Sequence, residues 1–332
     1  MLENGGFMGL AEYAARRALH TVAAFFILIT VGFFLFRVMP GDPTAVLLLN
    51  PRIPPETRQL LRAQLGLDQP YHVQYLYFIK NVFLGEFGYS FHYGRPVTDI
   101  IFSRKLFNTL ALVGTSVVLA ILIGLGMALA SAKKRGSRTD VSMLVFALTT
   151  YSMPVFWLGM ILLIMFAVHW KIFPLGGTIT AIKVHESLWE YIADYLWHMT
   201  LPLIALVLIQ IGYNFLIMRN ALIDIATEDF VMVARAKGLP EKLVMRRHVL
   251  RNAMLPLVTI IALQLAGIFT GAVLTETVFS WDGLGSLIYE AVMTRDYPLL
   301  QGIFMVIVAA FLIANYIADI LYAVLDPRVR YR

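Results

Sequence analysis

Side chains able to bind, react or titrate are few in this chain and poorly spaced for catalysis. No GxxxxGK[ST] run is present, so the backbone cradle that holds nucleotide phosphates in common ATPases is missing. Serine, histidine and aspartate occur, yet none falls in a recognised nucleophile motif, and no catalytic residue is expected. The histidines His20, His72, His92, His169, His185, His198 and His248 are scattered without tight ligand spacing. With zero cysteines there is no thiolate zinc site, cysteine nucleophile or disulfide framework either. The sequence therefore predicts no metal and no cofactor on this chain. If the cargo were a metal, the histidines expected outside the membrane would be the first to test.

The polar residues that remain fall in two places. Some lie within apolar segments: Gln210, Tyr213 and Asn214 share one helical face, and Gln264 and Thr270 lie on the next apolar segment. Such residues can line a pathway or serve as polar glue between helices. The others crowd one stretch, Thr227 to Pro256. There Thr227 is expected to cap a helix with Glu228 and Asp229 in its first turn and Arg235 and Lys237 in its last, an order that suits the helix dipole. Gly238 should stop it in left-handed geometry. Pro240 should open a second helix carrying Lys242, Arg246, Arg247 and Arg251.

The elements that position these residues are membrane spans. The chain is 59% hydrophobic and 14% charged, far from a soluble composition. Crossing about 30 Å of hydrocarbon takes about 20 helical residues. Six runs meet that length: Ala18 to Phe36, Leu106 to Ala132, Val141 to Val168, Met199 to Met218, Asn252 to Thr275 and Tyr297 to Ala318. The expected fold is thus an all-α polytopic membrane protein. Its first span is expected to be an anchor, since no small-residue cleavage site follows it. Apart from His20 at the start of the first run, the six runs contain no Asp, Glu, Lys, Arg or His, which disfavours proton or ion coupling.

Lysine and arginine distribution predicts both termini inside. Arg16, Arg17, Lys133, Lys134, Arg135, Arg138, the basic loop 219–252 and Arg328, Arg330 and Arg332 then share one side. The short outer connections hold only Lys171, Lys183 and Arg295. This topology accounts for the net charge of +6 without nucleic acid. It divides the chain into a terminal segment with the first span (1–36), an outer segment (37–105), and a core of five spans with the basic loop (106–332). The outer segment should carry a helix opened by Pro54, Pro55 and Glu56. A second helix places Tyr71, Tyr75, Phe78, Ile79, Val82 and Phe83 on one face, for the membrane surface or the spans. Ala120, Gly124, Ala128 and Ala132, with Gly267 and Gly271, form small-residue faces for close helix packing, within the subunit or at a dimer seam. Pro154 should kink the third span.

The order Glu228-Asp229, Ala234-Arg235-Ala236-Lys237-Gly238, His248 to Ala253 (HVLRNA) and Leu255-Pro256 resembles the coupling loop of ABC importer permeases. It is most similar to the dipeptide, oligopeptide and nickel branch, above all its dipeptide permease B-type subunits. PGDP at 40–43, LGLDQP at 65–70, LGEFGYS at 84–90, YSMPVFW at 151–157 and LDPRVR at 325–330 extend the resemblance over nearly the whole chain. Glu86 stands where the family often has Asp.

The resemblance implies a type I importer membrane-domain fold in a bacterial or archaeal cytoplasmic membrane. It implies that Glu228, Asp229, Ala234, Arg235, Ala236, Lys237, Gly238, Arg247, His248, Arg251, Asn252 and Pro256 meet an ATP-hydrolysing subunit. Tyr151, Ser152, Met153 and Pro154 would border the pathway, with Gln210, Asn214, Gln264 and Thr270 as further candidates. Trp281, Asp282, Gly283 and Gly285 would lie at the outer mouth, near a docked solute-binding protein. Implied partners are a second homologous permease, two ATP-binding subunits carrying ATP and magnesium, and that binding protein. Peptides are the expected cargo, with nickel, glutathione or oligosaccharide as alternatives. A secondary transporter or channel without ATPase partners, and a membrane scaffold, are the competing classes.

Overall fold

The computed structural model describes residues 9–38, 69–254, 261, 263, 264, 267 and 272–325. Helices dominate, and among the described residues the β pairing is a single bridge between Tyr89 and Pro96. Helix α1 (Leu10–Val38) starts eight residues before the predicted run, because Leu10 to Arg17, with Glu12, Arg16 and Arg17 among them, extend the helix by about two turns. Helix α2 (Tyr71–Leu84) lays its aromatic face on α1, with the Phe33 ring 5.3 Å from Tyr75 and 5.4 Å from Phe78. The Thr30 and Tyr75 hydroxyls meet at 2.5 Å. The predicted aromatic face therefore packs on a span.

A short helix α3 (Val97–Ile101) leads into α4 (Arg104–Lys133), which is capped by the Ser103 hydroxyl accepting from Lys105 N–H. The hub is α7 (Leu188–Ala226), a 39-residue helix capped by Ser187. At 1.5 Å per residue it is about 58 Å long, well beyond the hydrocarbon layer. Its hydrophobic stretch is 56% buried, against 17% for α1. Ala120, Gly124 and Ala128 of α4 are buried against it, and a side chain at Gly124 would sit 2.9 Å from Asn214 Cβ. The small-residue face thus packs within the subunit. Gly271 lies outside the described residues.

The expected third span is not continuous. Helix α5 (Arg138–Ser152) meets α6 (Val155–Leu162), taken with its continuation to His169, at 101°. Proline lacks the N–H a helix needs at that point and disfavours helical geometry in the residue before it. Met153 accordingly adopts φ −81°, ψ 135°, so the sequence-predicted kink is an elbow. Beyond it, the helix widens into π-type turns over Leu163–His169.

Helices α8 (Asp229–Ala236) and α9 (Glu241–Val244) follow α7, and α9 continues through wide turns at Met245–Leu250 to Met254. Two short helices, α10 (Val273–Val278) and α11 (Leu284–Met293), precede α12 (Tyr297–Leu325). Helix α12 packs on α1, where Arg17 pairs with Asp319 at 3.2 Å. Among the described residues, four helices are long and apolar enough to cross a membrane, or five when the α5–α6 pair is one span. Most of the expected fifth span, 252–275, lies outside the described residues, as do the PGDP stretch and the Pro54 helix.

Candidate coupling site and pathway

The turn from α7 into α8 differs from the sequence expectation by one residue. Thr227 closes α7, its hydroxyl donating to Asp224 C=O at 2.8 Å, and Glu228 occupies the position preceding α8. The α7 register wins because its last carbonyls need that donor. Gly238 has φ +75° and its N–H donates to Arg235 C=O at 2.9 Å, the expected left-handed stop. Pro240 stands at the cap of α9 rather than inside its first turn.

Helix α8 has two unlike faces. Val231 and Ala234 point inward, joining Val244, Val249 and Ala253 in one apolar cluster with Ala128, Ala147, Phe215, Met218 and Leu222. Outward stand Glu228, Asp229, Phe230, Met232, Val233, Arg235, Ala236, Lys237 and Gly238. Phe230, Met232 and Val233 are exposed beside charges, a composition suited to a protein partner. Arg235 closes the helix break from the side, donating to both Glu241 carboxylate oxygens at 3.2 and 3.0 Å and to Ala226 C=O at 3.1 Å. That hydrogen bonding holds the Glu241 carboxyl below its ordinary range. Arg247 and Arg251 are exposed, His248 is half-buried, and Asn252 Nδ2 donates to His248 C=O at 2.6 Å. Pro256 lies outside the described residues.

Directly behind this cluster is a polar site that the sequence reading missed. Arg219 on α7 forks onto Asp140 of α5, Nε to Oδ1 and a terminal nitrogen to Oδ2, both at 2.8 Å. Arg219 Nε also reaches Ser131 Oγ of α4 at 2.9 Å, and Gly136 N–H donates to Asp140 Oδ2 at 2.9 Å. Asp140 is 1% exposed. In sequence these residues look like topology-setting charges flanking spans. The only local hint is the Gly136-Ser137 turn that wraps the carboxylate.

The sequence-predicted pathway residues separate into two groups. Tyr151 is exposed at the elbow and stacks on Tyr213, with ring centroids 6.1 Å apart; Ser152 and Pro154 are also exposed, and Met153 is half-buried. Gln210 and Asn214 instead join helices. Gln210 donates to Ser116 Oγ at 2.9 Å, and Gln264 donates to Asn214 Oδ1 at 2.8 Å. Among the described residues, the buried Asn214 Nδ2 and Gln264 Oε1 have no hydrogen-bond partner. A cavity of about 420 Å³, lined by Val113, Val117, Leu206, Gln210, Gln264 and Thr275 among others, adjoins them. Thr270 lies outside the described residues.

At the opposite end the Trp281 turn is an internal lock. Trp281 is fully buried, donating Nε1–H to Asn108 C=O at 3.1 Å. Glu276, also fully buried, accepts from Thr109 Oγ1 at 2.9 Å and from the Gly285 and Ser286 N–H groups at 2.7 and 3.1 Å. It thereby caps α11 with a carboxylate. At Gly285 a side chain would press on Val273 Cα at 2.8 Å and on Glu276 Oε2 at 2.9 Å; Gly283 is likewise packed against Glu276 and Thr109. Asp282 alone of the four sequence-predicted docking residues reaches the surface, pairing with Lys105. Two of the histidines, His185 and His198, converge on Asp194. His185 Nε2 lies 3.0 Å from Asp194 Oδ2, and His198 Nδ1 lies 2.8 Å from the Asp194 C=O. Among the described residues, no group of three or more His, Cys, Asp or Glu is placed to hold a metal.

Comparison with known proteins supplies the context for this geometry. Residues 120–331 match the family described as binding-protein-dependent transport system inner membrane component, and residues 10–113 match its N-terminal membrane component. The dipeptide transport system permease protein DppB of Escherichia coli (strain K12) is 36% identical, covering 95% of this chain and 98% of that protein. The oligopeptide transport system permease protein AppB of Bacillus subtilis (strain 168) is 33% identical over 97% of this chain and 100% of its own length. The glutathione transport system permease protein GsiC of Salmonella choleraesuis (strain SC-B67) is 35% identical over the same shares. With both family segments matched in order and full-length relatives at this identity, the chain belongs to the binding-protein-dependent inner membrane components, the permease subunits of ABC importers.

Proposed function

We propose that this permease forms half of a pathway for di- and oligopeptides, driven through α8 by ATPase subunits that bind it from the cytosol. The observation that carries this reading is the two-faced α8. Its inner residues share a core with α4, α5 and α7, while its outer face carries exposed Phe230, Met232 and Val233 beside Glu228, Asp229 and Arg235. A push on the outer face therefore reaches the spans without an intervening flexible joint. In this reading the chain crosses six times with both termini inside, and the grouping of Lys133, Lys134, Arg135 and Arg138 with the basic 229–254 end supports that orientation. A second homologous permease supplies the other half of the pathway, two ATP-binding subunits carry ATP and magnesium, and a solute-binding protein delivers cargo. Its docking would use Asp282 and the surface around it, with Trp281, Gly283 and Gly285 holding that surface from within.

Peptide cargo is favoured by the dipeptide, oligopeptide and glutathione systems to which the relatives belong. The cavity's apolar wall and its Gln210 and Gln264 amides suit the side chains and backbone amides of a peptide. The test is purification of the chain with its native neighbours, followed by ATPase assays in lipid with and without the binding protein and a peptide mixture. Peptide-dependent stimulation is expected. Stimulation by nickel or an oligosaccharide instead would reassign the cargo, and absence of any associated ATPase would overturn the coupling reading.

A further inference from the structure

We propose that Arg219, Asp140 and Ser131 form a positioning lock that makes α4, α5 and α7 move as one body when α8 is displaced, an inference that rests on the importer reading above. The three residues come from three helices and meet behind the coupling cluster, with Arg219 one turn from Phe215 and adjacent to Met218, both in that cluster. Arg219 lies seven residues before Ala226, the end of α7, or about 10 Å along the axis.

The chemistry of the contact differs from that of the packing around it. Ala128, Ala147, Val231 and Ala234 make apolar contacts that tolerate small slides between helices. The guanidinium fork does not, because two parallel hydrogen bonds fix both distance and direction. Shearing α5 along α7 would break both 2.8 Å bonds and leave a carboxylate that is 1% exposed without its cation, which is strongly unfavourable. Ser131 accepts from Arg219 while itself donating to Asp140, so α4 is tied into the same fork. The apolar cluster transmits the push, and the lock prevents it from being lost as sliding. Helix α5 then carries the displacement over the 12 residue steps from Asp140 to Ser152, about 18 Å, to the elbow where Tyr151 stacks on Tyr213.

If the pair served only to neutralise buried charge, replacing both partners with apolar side chains of similar volume would preserve function as well as folding. The experiment therefore compares the wild-type complex with Asp140→Leu combined with Arg219→Met, in vesicles with binding protein and a peptide mixture. The expected result is normal assembly and ATPase activity within about twofold of wild type, with peptide delivered per ATP lower by at least about tenfold. Arg219→Lys, which keeps the charge and loses the fork, should fall between the two. Unchanged delivery per ATP in the double variant would overturn the lock. Should that variant fail to assemble, spin labels at the exposed Thr139 and Asp224 on an otherwise intact chain decide the matter. Their separation should stay within about 2 Å between nucleotide-free and ATP-trapped complexes, whereas a slide of about one helical turn, roughly 5 Å, would overturn the proposal. Wild-type vesicles without peptide-stimulated ATPase would count against the importer reading instead, and the label distance would still report whether the helices move together.

Discussion

Gly238 is where a single atom decides whether α8 and α9 can meet in a tight turn. Its φ of +75° is open to glycine and strained for a branched side chain, although nothing within 4 Å would obstruct a Cβ. Gly238→Val should therefore cost about 1–2 kcal/mol locally. It should reduce peptide uptake while leaving expression normal, an outcome that uptake assays on matched membranes would check. Gly285 poses the opposite problem, lack of space. Gly285→Ala should lower the melting temperature of the purified complex by an amount equivalent to about 1–3 kcal/mol, because Val273 and the Glu276 carboxylate must both shift. Glu276→Leu should destabilise by a similar amount, since the Gly285 and Ser286 N–H groups lose their acceptor. The Arg235–Glu241 pair is a milder case. A carboxyl held below its ordinary value contributes above about pH 4.3 and fades as the pH falls through its lowered value. The Glu241 side chain is 62% exposed, so Glu241→Gln should cost less than about 1 kcal/mol, with coupling flat from pH 8 to pH 6 in the parent protein.

At the scale of elements, one proline marks the place of the α5–α6 elbow, which the sequence located without revealing its size. A proline kink is local chemistry; a 101° turn depends on what the two halves pack against. Gly159 of α6 lies against Phe279, and Gly212 of α7 lets α5 approach at Ala147 and Thr150. Pro154→Ala restores a backbone donor but not those partners. The expected outcome is a bend that persists with greater spread, seen as a broadened distance distribution between labels on α5 and α6. A straightened helix would mean that the proline alone sets the turn. The capping residues tell a similar story. Ser103, Ser137 and Ser187 each cap a helix, accepting from a first-turn N–H. Thr227 was equally plausible for α8, but α7 extends past the predicted span end and claims it. Hydrophobicity marks the part of a helix in lipid and says little about how far it continues into water.

Across the whole molecule, what was legible in the sequence depends on residues close together in the chain: apolar runs, the left-handed stop at Gly238, the aromatic face of α2, and the ordered motifs that resemble the family. What was not legible depends on residues far apart in sequence. Arg219 with Asp140 and Glu276 with Thr109 each bring together charges or polar groups whose flanking residues look ordinary. The Trp281 turn carried a similar ambiguity, since exposed turns and interior locks use the same glycines. Its burial has a spectroscopic consequence. Of the chain's five tryptophans, Trp281 is sealed at 0% exposure, while Trp157, Trp170, Trp189 and Trp197 lie between 45% and 80% exposed. With those four replaced by phenylalanine, the remaining indole should emit at short wavelength and resist acrylamide quenching. Any step of the transport cycle that loosens the Asn108–Trp281 contact would then announce itself as a red shift, read in real time from the chain's own fluorophore.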